Sequence, residues 1–180
     1  MDDVLALAGL ASLCALARLL PERDPHPSLY EVTLFVLGFL DEPHVWPALL
    51  VRWELALLDE LGFGLDLSSC AATGAKEDLV FVSPKSGRAV SGAAGAPYKD
   101  KLLRLPVFLA KGTAGRQSRR QRPATEEDVA AGLTLTGHFL KTRVLEPRGD
   151  AMPQARVRFK ELIDRRAMAR GADSGPGQDA

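Results

Sequence analysis

The chain has 180 residues, 46% of them apolar and 26% charged, the balance of a globular protein able to bury a core. Its 23 Lys plus Arg equal its 23 Asp plus Glu, so bulk charge selects no partner, although basic residues gather toward the C-terminal third. Two cysteines are too few for a disulfide scaffold of this size and point to a reducing cytoplasm.

Residues 3–20 read as a helix of Leu and Ala ended by Pro21. Asp2 and Asp3 lead it where a secretory signal needs positive charge, and Arg18 sits inside a run already short for a membrane span. A buried core helix is therefore expected. Cys14 within it, and Cys70 further on, are expected to be buried free thiols. The stretch PERDPHP, Pro21 to Pro27, cannot continue a helix. Ser28 is the expected N-cap of a second helix reaching about Leu40.

The strongest periodic element runs from about Val45 to Leu61. Pro47 falls in its first turn, Trp46, Leu49, Leu50, Trp53, Leu57 and Leu61 form a three-four stripe, and Gly62 supplies the left-handed stop. Behind it the pattern changes. LVFVS (Leu79 to Ser83), the turn Pro84-Lys85-Ser86-Gly87 and RAVS (Arg88 to Ser91) predict a β-hairpin, with GAAGAP (Gly92 to Pro97) as loop. LLRLPVFLA (Leu102 to Ala110) reads as a buried segment broken by Pro106.

KGTAGRQSRRQRP, Lys111 to Pro123, has five basic residues, no acid and no apolar period, and reads as a linker. Thr125 and Asp128 then make a capping-box start for a helix to about Val144. Gly132, Thr136 and Gly137 weaken that helix in isolation, so they are expected to admit a close neighbour. The final helix, about Pro153 to Ala169, places Ala155, Phe159, Leu162 and Ile163 on one side and Arg156, Arg158, Lys160, Arg165 and Arg166 on the remainder. The tail from Gly171 is expected to lack regular structure.

Reactive chemistry has few footholds. Cys70 has no Cys or His within five residues, and His26, His44 and His138 stand far apart, which argues against a structural zinc. There is no G-x-S-x-G elbow, no Walker sequence and no G-x-G-x-x-G, and Ser86 has no paired His nearby. The acidic pairs Asp2–Asp3 and Glu126–Glu127 suit helix N-termini. These observations predict a protein without an active site or cofactor: a mainly α fold, a bundle of about five helices with a small β-hairpin insert. The expected division is a helical domain over 1–62 and 102–170, an insert over 63–101 and a tail over 171–180.

Three segments together resemble the RecO family of recombination mediators. PERDPHPSLY (Pro21 to Tyr30) looks like its helix-to-helix connection. RWELALLDELGFGLDLSSCAATG (Arg52 to Gly74) resembles its aromatic-Glu-Leu-Ala-Leu-Leu helix, Gly-aromatic-Gly stop and Cys-x-x-x-Gly. FVSPKSGRAVSGAAG (Phe81 to Gly95) and LTLTGHFL (Leu133 to Leu140) complete the match. The resemblance implies an N-terminal oligonucleotide-binding barrel, expected to be missing from this chain, and a helical domain with a zinc-ribbon-like insert. Only Cys70 remains of the first cysteine pair, and the second falls near Ser91 and Ala94, which implies a metal-free insert.

The same resemblance implies a non-catalytic function in DNA repair: annealing single strands and, with RecR, loading RecA onto DNA coated by single-stranded-DNA-binding protein. Single- and double-stranded DNA would be held through phosphate contacts by Lys111, Arg116, Arg119, Arg120 and Arg122. The acidic, hydrophobic C-terminal tail of single-stranded-DNA-binding protein would dock in an apolar groove beside Arg52. Trp53 is expected in the core. The rival reading is a non-catalytic helical protein–protein interaction module with no nucleic-acid role.

Overall fold

The computed structural model describes residues 2–110 and 123–173. Helix α1 spans Asp2–Ala17 and α2 spans Pro27–Leu37. Pro27 opens α2 with its preset φ, so the N-cap is His26, which makes no side-chain cap bond. Ser28 is thus inside the helix and is not its cap. Helix α3, Trp46–Glu60, starts with Pro47 in its first turn and ends before Gly62 at φ 82°, where the Phe63 N–H reaches back to the Leu58 carbonyl at 2.7 Å. Trp46, Leu50, Trp53 and Leu57 of the expected stripe are buried, joined by Val51 and Leu58, while Leu49 and Leu61 are half-buried. The Trp53 indole N–H donates to Thr33 Oγ1 at 2.8 Å, which satisfies the buried polar edge of the ring and ties α3 to α2.

The hairpin forms as expected from β1, Leu79–Val82, and β2, Ala89–Ser91, antiparallel in the register Phe81↔Val90 and Val82↔Ala89. Its turn is closed by Gly87 at φ 71° and by the Ser83 N–H, which donates to the Arg88 carbonyl at 2.9 Å. A third strand, β3 (Leu103–Arg104), adds to the free edge of β1, giving the order β2-β1-β3. The segment expected only to be buried thus also pairs, and the hairpin becomes a sheet. GAAGAP is likewise not a loop. Residues Gly92–Gly95 form the short helix α4, continued by a 3-10 helix over Ala96–Lys101.

Helix α5, Glu126–Phe139, has the expected capping box: Asp128 N–H donates to Thr125 Oγ1 at 3.1 Å and Thr125 N–H to Asp128 Oδ2 at 3.2 Å. It runs into a π-helical stretch, Leu140–Leu145, and a 3-10 turn, Glu146–Arg148, ended by Gly149 at φ 73°. Helix α6 covers Gln154–Asp173 and lies along both α1 and α5. The expected close approaches are present, since a Cβ on Gly132 would stand 2.8 Å from Val51 Cγ1 and one on Gly137 2.8 Å from Arg156 Nη1.

One apolar cluster joins α1, α3, α5 and α6 to the sheet through Leu67, Leu79, Val82 and Leu105. Two sequence expectations are corrected inside and around it. Cys14 is exposed, because it falls on the same stripe of α1 as the exposed Val4, Leu7 and Ala11; Cys70 alone of the two thiols is buried. Arg156, grouped with the polar remainder of the last helix, is 3% exposed and lies inside the protein against Glu54, itself fully buried. Among the described residues no helix is long and apolar enough to cross a membrane.

Candidate functional site

Helix α3 has two uses. While Trp53 and Leu57 face the core, Arg52, Leu55, Ala56 and Asp59 recur at three- and four-residue steps on another side. That side floors a groove of about 570 Å³, walled by Leu65 and Leu67 on one flank and by Phe108, Leu109 and Ala110 on the other. The second wall is held by its own anchors. Leu105 and Leu109 are buried, Leu105 N–H bonds the Val80 carbonyl at 2.8 Å, and Leu109 N–H bonds the Pro106 carbonyl at 3.0 Å.

Arg52 stands at the rim. Its Nη2 donates to the Phe108 carbonyl at 2.8 Å, with the guanidinium carbon 6.0 Å from the Phe108 ring centroid. These two contacts hold the planar fork over the groove, and the residue is otherwise exposed, so its remaining donors are free to meet a carboxylate. Asp59 also lines the groove, which places a carboxylate toward the end away from Arg52. The arrangement is a groove of mixed character, with apolar side chains between a cation, Arg52, and an anion, Asp59, suited to a short peptide laid in one direction. Sequence reasoning picks out Arg52 but misses Phe108 and Leu65, although the 52/55/56/59 spacing carries the floor of the site.

Lys111, Arg116, Arg119, Arg120 and Arg122 lie outside the described residues. They follow Ala110, the last described residue of the groove wall, directly in sequence. His138 is a boundary residue, half-buried, with Nε2 3.4 Å from the Pro84 carbonyl and its ring edge-on to Phe139.

The insert contains Cys70 but no partners for a metal. Its Sγ accepts the Ser91 N–H at 3.3 Å, placing Ser91 where a second ligand would be needed. Burial, the largest single influence, pushes the Cys70 thiol up, but hydrogen bonding from Ser91 and Thr73 together outweighs it and brings it down to about 6. Among the described residues no three His, Cys, Asp or Glu side chains gather as a metal would require, so the donor set does not fit zinc. The strand-like residues before the thiol are fixed instead by backbone pairing, Asp66 N–H to the Gly87 carbonyl at 3.1 Å and Ala89 N–H to the Asp66 carbonyl at 2.9 Å.

Residues 1–150 match the protein family described as "Recombination protein O C terminal". The chain belongs to the RecO family. It is 56% identical over 162 residues to the DNA repair protein RecO of Methylorubrum extorquens, covering 90% of this chain and 65% of that protein. The DNA repair protein RecO of Beijerinckia indica is 59% identical over 155 residues, covering 86% of this chain and 60% of the relative. That of Caulobacter vibrioides is 50% identical over 169 residues, with 93% and 65% covered. The chain therefore spans somewhat under two thirds of the length of these RecO relatives. No solved structure matches it. Within RecO, the groove beside Arg52 falls inside the family match, as do the sheet and the α5–α3 contact.

Proposed function

We propose that this chain supplies the C-terminal platform of a RecO-type recombination mediator in DNA repair, working in the cytoplasm by holding partners rather than by making or breaking bonds. The observation that carries this reading is the family match over residues 1–150, which includes every residue lining the Arg52 groove. In this reading the helical part, 1–62 with 102–170, is the platform and 63–101 an insert that walls one side of the groove.

The groove would take the acidic, hydrophobic C-terminal tail of single-stranded-DNA-binding protein. Large apolar side chains of the tail would lie on Leu55, Ala56 and Phe108, and its terminal carboxylate would pair with the Arg52 fork that the Phe108 carbonyl orients. Repulsion from Asp59 favours the orientation in which the tail's acids keep to the Arg52 end. Lys111, Arg116, Arg119, Arg120 and Arg122 would neutralise phosphates of single- or double-stranded DNA. RecR and RecA would complete the assembly, with RecR as direct partner.

Fluorescence anisotropy with a labelled acidic-hydrophobic tail peptide tests the reading. Arg52→Glu should weaken binding by roughly tenfold or more, and Arg52→Lys should recover only part, because an ammonium lacks the two-pronged geometry. Equal affinity for all three proteins would overturn the assignment of the groove.

A further inference from the structure

Helix α2 buries Leu29 and Val36 and bonds Trp53 through Thr33, so its packed side is accounted for. Its other side is not. Tyr30, Leu34 and Phe35 are 64%, 50% and 56% exposed, and their spacing places them on one continuous outer strip with Glu31 between. Three large apolar side chains together in water on one helix exceed the scattered exposure ordinary in a globular protein.

Carboxylates outnumber cations around this strip. From Arg18 to Arg52 the sequence carries five carboxylates, Glu22, Asp24, Glu31, Asp41 and Glu42, against three arginines, Arg18, Arg23 and Arg52. Of these Arg52 is engaged with the Phe108 carbonyl, and Arg148 reaches the Leu19 carbonyl ahead of the helix. All five carboxylates are exposed, and none forms an ion pair with another of the described residues. Glu22 and Asp24 stand before the helix, Glu31 on it, and Asp41 and Glu42 just after it. An aromatic strip with this rim repels nucleic acid and anionic lipid surfaces, whose phosphates would meet uncompensated carboxylates. It attracts a protein segment of the opposite design.

We propose that the outer face of α2 is a docking surface for a cationic amphipathic helix of a partner protein, one that presents large apolar side chains flanked by Lys or Arg. The apolar strip supplies affinity and the carboxylates supply orientation and rate of encounter. This surface is separate from the Arg52 groove and stands whether or not that groove takes an acidic tail.

The probe is a roughly 16-residue helical peptide with leucines at three-four spacing and lysines on both flanks, beside a control with glutamates in place of the lysines. The lysine peptide should bind the full chain with a salt-sensitive affinity, and amide shifts on binding should centre on residues 27–42. Leu34→Ser with Phe35→Ser should weaken it roughly tenfold or more while leaving all five carboxylates in place. Glu31→Lys with Glu42→Lys should reverse the preference toward the glutamate peptide. Both pairs are exposed, so unchanged circular dichroism confirms that each variant is folded. Equal binding by wild type and the Leu34/Phe35 variant, or shifts centred elsewhere, would overturn the proposal. Self-association of the wild type that the Leu34/Phe35 variant abolishes would replace the partner helix by a second copy and equally overturn it.

Discussion

Arg156 grips the Glu54 carboxylate with two nitrogens, Nε to Oε1 at 3.1 Å and Nη2 to Oε2 at 3.0 Å, across 102 residues of sequence. The same Nη2 reaches the Leu133 carbonyl at 2.6 Å, and Thr136 donates its hydroxyl to Glu54, so the pair is locked into α5 as well. Gly137 leaves the guanidinium its room. Removing one partner strands the other in the interior. Glu54→Ala or Arg156→Ala should therefore lower unfolding free energy by about 3–5 kcal/mol, whereas Glu54→Leu combined with Arg156→Met should recover most of the loss. Urea midpoints at unchanged slope measure both.

Gly9 lies against Trp46. A Cβ there would fall 2.1 Å from Trp46 Cη2 and 3.3 Å from Phe159 Cε2, and the two rings pack at 5.5 Å between centroids. Trp46 is 1% exposed and cannot swing away. Gly9→Ala should cost about 1–3 kcal/mol by overpacking, less the small helix preference for alanine. In a Trp46→Phe background the same change should cost clearly less, because the smaller ring vacates the space that the methyl enters.

Retention of single-stranded DNA should fall as salt rises if phosphate contacts carry it. Replacing Arg119, Arg120 and Arg122 together by glutamine should flatten the log affinity against log salt plot by roughly two, at about 0.7 for each phosphate no longer neutralised. A slope unchanged by the triple replacement would remove these residues from the interface.

Asp66 provides a pH test. The Ser68 hydroxyl donates to its carboxylate at 2.6 Å and the Ser68 N–H at 3.2 Å, with Arg88 at 3.4 Å, and these hold the Asp66 carboxyl below its usual value. A lowered folded-state value means stability that is present above the ordinary carboxylate range and is lost as pH falls through the lowered one. Ser68→Ala should move the midpoint of Asp66 upward toward the ordinary value, read by carboxyl carbon NMR. Because the group is exposed, the accompanying change in stability should be small.

What the sequence reveals, and what it hides, follows from the range of the interactions involved. The α3 stripe, the Pro47 start, the Gly62 stop, the Thr125 capping box and the hairpin are each specified by residues within a few positions of one another, and all are present. The helical pattern misplaces Arg156 because its burial depends on a glutamate three helices away that itself sits in a pattern of ordinary polarity. Strand β3 is two residues long, too short for any alternation to register, and exists because β1 offers a free edge. Arg52 stands out through family resemblance, yet its orientation comes from the Phe108 carbonyl, a backbone group that no side-chain pattern announces.

Helix α1 finds its main packing partner in α6, with nearly the whole described chain between them. During synthesis, α1 therefore leaves the ribosome long before the surface that covers it exists, and its apolar residues Leu5, Leu13 and Leu16 must wait in water or against a chaperone. Closure of α1 onto α6 belongs late in folding, and a ribosome-stalled chain ending before residue 154 should show α1 open to proteolysis while the α2–α3 pair already resists it.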